Sequence, residues 1–203
     1  MASINATTSS GIVATADNTG QLQLQSAGTT VATATSTGFQ INTYTPGTSL
    51  ITFGTSQAST SGTAITFTGI PSWAKRVTMI FSGVSLNGSD NFLVQIGSGS
   101  LTTSGYSNIT GYAGVTTGTI TSSSGILIAS GGNAGDLTYG QITFYNITGN
   151  TWVASGATTA GTAANYFSIP GGSIALSGAL DRISVKATIS DTFDSGTINI
   201  LYE

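Results

Sequence analysis

The chain has 203 residues, of which four are Lys or Arg and seven are Asp or Glu, with no His and no Cys. Without imidazole or thiol there is no Ser-His-Asp triad, no Cys-His pair and no His/Cys zinc site, and no cofactor is expected. Four cations and a formal net charge of −3 give no basic surface for phosphates, so nucleic acid is not an expected partner.

What remains is a chain of small polar and branched apolar residues. It carries 28 Ser, 36 Thr and 28 Gly, yet it is 39% hydrophobic. That is too apolar for disorder, and with only three Pro and no Gly repeat it is not collagen-like. No apolar run reaches the length of about 18 residues that a membrane helix needs, so no membrane is expected. Met1-Ala2-Ser3-Ile4-Asn5 has neither a basic nor an apolar signal region, so export is not expected.

Residues 1–62 are expected to form an extended arm. Their one charge is Asp17. Gln21–Gln25 alternates Gln with Leu, and Thr30–Thr35 alternates Thr with Val or Ala, both with the period of a strand. Large apolar side chains are too few for an independent core. The arm should therefore gain stability from other chains, by trimerising or by lying along another protein. Leu22, Leu24, Val31, Phe39 and Ile41 are the candidate assembly contacts. The boundary is expected within Ser56–Gly62.

Residues 63–203 read as short strands separated by Gly, Asn, Ser or Asp turns. Strand runs are expected at 64–69, 76–83, 91–96, 126–129, 139–147, 151–154, more weakly at 174–177, then at 183–189 and 197–202. Ile142 and Phe144 should share one face, as should Ile198, Ile200 and Tyr202, and Ile183, Val185, Ala187 and Ile189 should point inside. Asn87-Gly88, Gly97-Ser98-Gly99, Gly131-Gly132-Asn133, Gly149-Asn150 and Gly171-Gly172 should be turns. Helix-forming residues are scarce. The expected fold class is all-β: a jelly-roll-like antiparallel β-sandwich, with an immunoglobulin-like sandwich as the alternative.

Several motifs admit two readings. Ser72-Trp73-Ala74-Lys75 and Ser89-Asp90-Asn91 match parts of a serine acyl-enzyme signature. That chemistry needs Lys to face Ser across a helical turn, and no helix is expected here. Gly131–Asp136 approaches a calcium β-roll repeat, but Ala134 stands where Gly is required. Asp191 and Asp194 either share a cation or cap a turn. Lys75-Arg76 and Arg182…Lys186 either contact a subunit or an anion, or are solvated strand ends paired with Asp181 or Asp90. Tyr106, Tyr112 and Trp152 are the candidate glycan contacts, because aromatic faces stack on sugar rings. The alternative puts Trp152 in the core and the tyrosines in a subunit seam. No catalytic residue is assigned, and the chain is not expected to be an enzyme.

Asp191–Glu203 resembles the terminal strand of small β-domains in virion fibre and appendage proteins of tailed bacteriophages, especially marine and cyanobacterial ones. Phe67–Thr78 and Leu180–Val185 are similar to the same group, and Gly11–Gln25 resembles the shaft or attachment repeats of phage fibres. The resemblance implies a structural virion protein, often a homotrimer with a β-sandwich head. Such fibres are often longer and carry a tail-docking domain, so a short capsid-decoration or head-fibre protein is the first expectation. A short tail fibre whose tip binds host glycan is the second. Either is made in the host cytoplasm and ends in the virion, with capsid or tail proteins as partners through residues 1–62.

Overall fold

The computed structural model describes residues 13–16, 22–35, 38–40, 51–130, 132–162 and 165–203. The chain divides into two compact units, Met1–Leu50 and Ile51–Glu203.

In the first unit, β1 (Val13–Ala16), β2 (Leu22–Ser26), β3 (Thr29–Thr35) and β4 (Gly38–Gln40) form an antiparallel sheet in chain order. Both alternating runs of the sequence are strands, and they pair with each other, Leu22 opposite Ala34 and Leu24 opposite Ala32. The β2–β3 turn is Ala27-Gly28, with φ of 50° and 78°. Those positive values match a two-residue hairpin whose twist follows the strands. Ala32 and Thr33 are buried, whereas Leu22 is 47% exposed. Ile41, also a candidate assembly contact, lies outside the described residues.

The second unit is an antiparallel β-sandwich. It begins before the expected boundary, because residues 51–62 pair with the end of the chain. Here β5 (Thr52–Phe53) lies against Tyr202 and Leu201, and β6 (Gln57–Ala58) against Ile198 and Thr197. The Gly54 N–H donates to the Ile200 carbonyl at 2.8 Å, and the Ser59 hydroxyl to the Ser195 carbonyl at 2.8 Å. This segment therefore forms an edge of the larger sheet and is not part of the arm.

The smaller sheet runs β7 (Ala64–Thr68), β17 (Arg182–Ala187), β9 (Phe92–Ser98), with β10 (Ser100–Leu101) and β13 (Ile126–Ile128) both on the far edge of β9. The larger sheet runs β12 (Gly118–Thr121), β11 (Ser107–Ala113), β16 (Tyr166–Ala175), β15 (Thr151–Ala160), β14 (Thr138–Thr148), β8 (Arg76–Leu86), β18 (Phe193–Tyr202), then β5. The orders β7-β17-β9-β13 and β8-(β14–β16)-β11-β12 are those of a jelly roll of two interlocked Greek keys. Its penultimate strand is expanded into the meander β14–β15–β16, and β18 is added beside β8.

The core fills the space between the sheets. Ile65, Phe92, Val94, Ile126, Ile183 and Val185 come from one side. Val77, Met79, Phe81, Ile142, Phe144, Trp152, Ile198 and Ile200 come from the other. Phe92 anchors the centre, 6.1 Å from Phe81 and stacked at 5.9 Å on Phe193. One expected inward residue is not in the core. Ile189 is 81% exposed, because β17 ends at Ala187 and the chain turns at 188–191 to wrap a carboxylate. Gly140 marks the β8–β14 bulge, with φ of 128°, and a Cβ there would stand 2.3 Å from the Ala157 carbonyl oxygen. Only Gly at this position allows β14 to approach the neighbouring β15 this closely.

Candidate functional site

The charged side chains stabilise loops and strand ends. Asp90 Oδ2 accepts the backbone N–H groups of Ile189, Ser190 and Asp191 at 2.9–3.0 Å, and Asp191 Oδ2 accepts the Asp90 N–H at 2.7 Å. The two loops are thus locked reciprocally. Burial raises the Asp90 pKa, but the N–H groups of Asp191, Ile189 and Ser190 and the Thr188 hydroxyl outweigh it, leaving the carboxyl below its ordinary range. Asp194 accepts a hydrogen bond from the Ser85 hydroxyl. Asp191 and Asp194 therefore serve different partners, and among the described residues no cluster of three His, Cys, Asp or Glu could hold a metal ion.

A pH prediction follows from Asp90. A carboxyl acidified by folding adds stability above its unfolded-chain pKa, and that increment disappears as pH falls through the lower folded-state value. Asp90→Asn is expected to cost about 1–2 kcal/mol near neutrality, because its amide accepts these N–H groups more weakly. Urea unfolding of both proteins should show the gap closing under acid. A gap that persists unchanged below the carboxylate range would refute the assignment.

Basic residues pair at strand ends. Arg182 Nε lies 2.8 Å from Asp181 Oδ1, and the Arg182 hydrogen bond holds the Asp181 carboxyl below its usual range. Arg76 pairs with Glu203, whose carbonyl also accepts the Lys75 and Arg76 N–H groups. Ser72 lies in a turn closed by the Ala74 N–H on the Pro71 carbonyl, and Lys75 follows that turn. No helical turn presents Lys75 to Ser72. Gly132–Asp136 is likewise a turn, closed by Asn133 on Asp136.

Two of the three candidate glycan contacts are core residues. Trp152 is 3% exposed and packs with Ile174 and Ala154 in the central cluster. Tyr106 is buried, and its hydroxyl accepts the Ile96 N–H at 2.8 Å and donates to the Ile96 carbonyl at 3.2 Å. Burial pushes its pKa up to about 12. Neither ring can reach a ligand. Tyr112 is different. It is half-buried near the end of β11, with its ring 6.0 Å from Tyr166 and inclined at 57°. The Tyr166 hydroxyl pairs with Thr116 Oγ1 at 2.9 Å. These rings line a pocket of about 190 Å³ together with Ile120, Ala129, Ser89, Asn91 and Gly132. Gly118 leaves room for the Tyr112 hydroxyl, which a Cβ would approach to 2.6 Å.

A second feature occupies the outer face of the larger sheet. On β11 and β16 the usual pattern is inverted. Asn108, Thr110, Ser168 and Pro170 point inward and are buried, while Ile109, Phe167 and Ile169 are 59%, 49% and 56% exposed. The inward polar groups are satisfied by β13 and its flank. Thr110 donates to the Leu127 carbonyl at 2.7 Å, Asn108 Oδ1 accepts the Leu127 N–H at 3.2 Å, and Ser168 accepts the Ala129 N–H at 3.2 Å. The register places Ile169 opposite Gly111, Phe167 opposite Ala113, and Tyr139 in the same row through Thr159. From Phe92 to Leu180 the sequence has one charged residue, Asp136, and it is buried. The five adjacent strands β12, β11, β16, β15 and β14 therefore present an outer face without charge.

No protein-family model, curated protein or solved structure matches the chain.

Proposed function

We propose that the protein is a non-catalytic structural component of a tailed-phage virion. It is a capsid-surface decoration or head-fibre protein that assembles as a homotrimer and is held by its N-terminal residues to another virion protein. The phage setting comes from the resemblance of Gly11–Gln25 and Asp191–Glu203 to fibre and appendage sequences. The observation that carries the assembly is the inverted pattern of β11 and β16. A monomer gains nothing by spending inward positions on Asn108, Thr110 and Ser168 while leaving Ile109, Phe167 and Ile169 in water.

A charge-free face suits contact between identical copies. Every charge on a self-associating surface is repeated by its neighbours, whereas Ile, Phe and Thr can be shared without electrostatic cost. Clustering three copies also multiplies weak anchoring contacts into firm attachment. Quantifying the chain in purified virions tests the reading. On the order of hundreds of copies, following capsid symmetry, supports decoration, and about a dozen supports a tail appendage. Absence from the particle overturns the proposal.

A further inference from the structure

We infer that the pocket between Tyr112 and Tyr166 is a binding site for one neutral sugar ring. Its size points to such a ligand. At about 190 Å³ it is smaller than the roughly 300–1,000 Å³ of sites for drug-sized ligands and cofactors. It fits one pyranose ring, with the rest of any longer glycan lying outside.

The chemistry of its walls gives the class. A pyranose has an apolar face of C–H groups and an equatorial belt of hydroxyls. The electron-rich face of a tyrosine ring attracts the first, and short polar side chains satisfy the second. Tyr112 and Tyr166 are half-buried, so each keeps part of its ring in contact with solvent, and their 57° inclination gives two non-parallel walls. Ile120 and Ala129 supply apolar lining, Ser89 supplies a hydroxyl, and Asn91 supplies its amide N–H groups, its Oδ1 being taken by the Ser130 N–H at 3.2 Å.

Among the described residues that line the pocket, none is charged. Asp90 stands between Ser89 and Asn91 in sequence, but its Oδ2 is taken up by the N–H groups of residues 189–191. A sugar acid or phosphosugar would find no cation here, so the site favours a neutral hexose. Tyr166 is held by its hydroxyl contact with Thr116, which fixes the wall without using the ring face. This inference is independent of the assembly proposed above, since it uses other residues.

The test is a titration of the full chain with methyl glucoside, methyl galactoside, methyl mannoside and N-acetylneuraminic acid, followed by protein chemical shifts. At least one neutral glycoside should cause saturable shifts in the Tyr112 and Tyr166 rings and the Ile120 and Ala129 methyls. The expected Kd is about 1 mM, as suits one ring on two aromatic walls. Tyr112→Ala and Tyr166→Ala should each weaken binding at least about tenfold, while Tyr166→Phe, which keeps the ring, should stay within about threefold. Absence of saturable shifts at these residues with all three neutral probes would overturn the inference. So would full-strength binding by Tyr112→Ala, or tighter binding of N-acetylneuraminic acid than of any neutral glycoside. The shift map of the unaltered chain decides the matter even where an alanine variant fails to fold.

Discussion

Trp152→Ala is expected to destabilise the sandwich by about 3–5 kcal/mol, enough to unfold a domain of ordinary stability. The indole is 3% exposed and packs where β15 meets the opposite sheet, so its removal leaves a cavity that neighbouring strands cannot close. Trp152→Phe should cost much less, about 1–2 kcal/mol. Among the described residues the buried indole Nε1 has no hydrogen-bond partner, so Phe gives up volume but no satisfied polar contact. Chemical denaturation of the three proteins checks this order. An alanine variant as stable as the parent would show that Trp152 is not a core residue. A loss of ligand or cell binding on Trp152→Ala is expected to accompany loss of fold, and so carries no information about recognition.

The second large effect concerns assembly. Ile169→Lys, in the middle of the outer face, should weaken self-association by at least about 100-fold, the size of effect expected when a central apolar contact becomes a charge. Three mutually repelling ammonium groups would have to be desolvated in a trimer seam. The fold of each subunit should be unaffected, because Ile169 is 56% exposed and its register partner Gly111 is small. Ile189→Lys is the control. It exposes the same charge on a residue that is 81% exposed, in the loop between β17 and β18 rather than on β11 or β16, and should leave the mass unchanged.

The sandwich was legible wherever inward positions are apolar. Ile183, Val185 and Ala187 in β17, Ile142 and Phe144 in β14, and Ile198 and Ile200 in β18 announce their strands by simple alternation, and all are buried. The jelly-roll order was not legible. It depends on β11, β12 and the first half of β16, where the period-2 signal is hidden because the buried residues are Asn108, Thr110 and Ser168. Gly171-Gly172 reads as a turn but lies within β16, which also carries Pro170. The β15–β16 register has no paired residues across Ile169 and Pro170, where the ladder lacks a proline N–H.

The candidate site was legible only in part. Tyr112 was identified as an aromatic in a Gly/Ser-rich loop, but so was Tyr106, and sequence has no means of separating the half-buried ring from the buried one. Tyr166 was missed because its partnership with Tyr112 arises from the pairing of β11 with β16, a contact between residues far apart in the chain. The outer face was missed for the same reason. Ile109, Phe167, Ile169 and Tyr139 come from three strands and become a patch only once those strands are in register. One signal was available: the run from Phe92 to Leu180 with a single charge marks the half of the sandwich that holds this face.

The central claim is that the chain works as an assembled component built on an uncharged sheet face. Sedimentation equilibrium of the full chain beside its Ile169→Lys variant tests it most directly. The account predicts a species of three times the 20.3 kDa chain mass for the unaltered protein and a folded monomer for the variant. A well-folded monomer of the unaltered chain, at the same concentration, would contradict it.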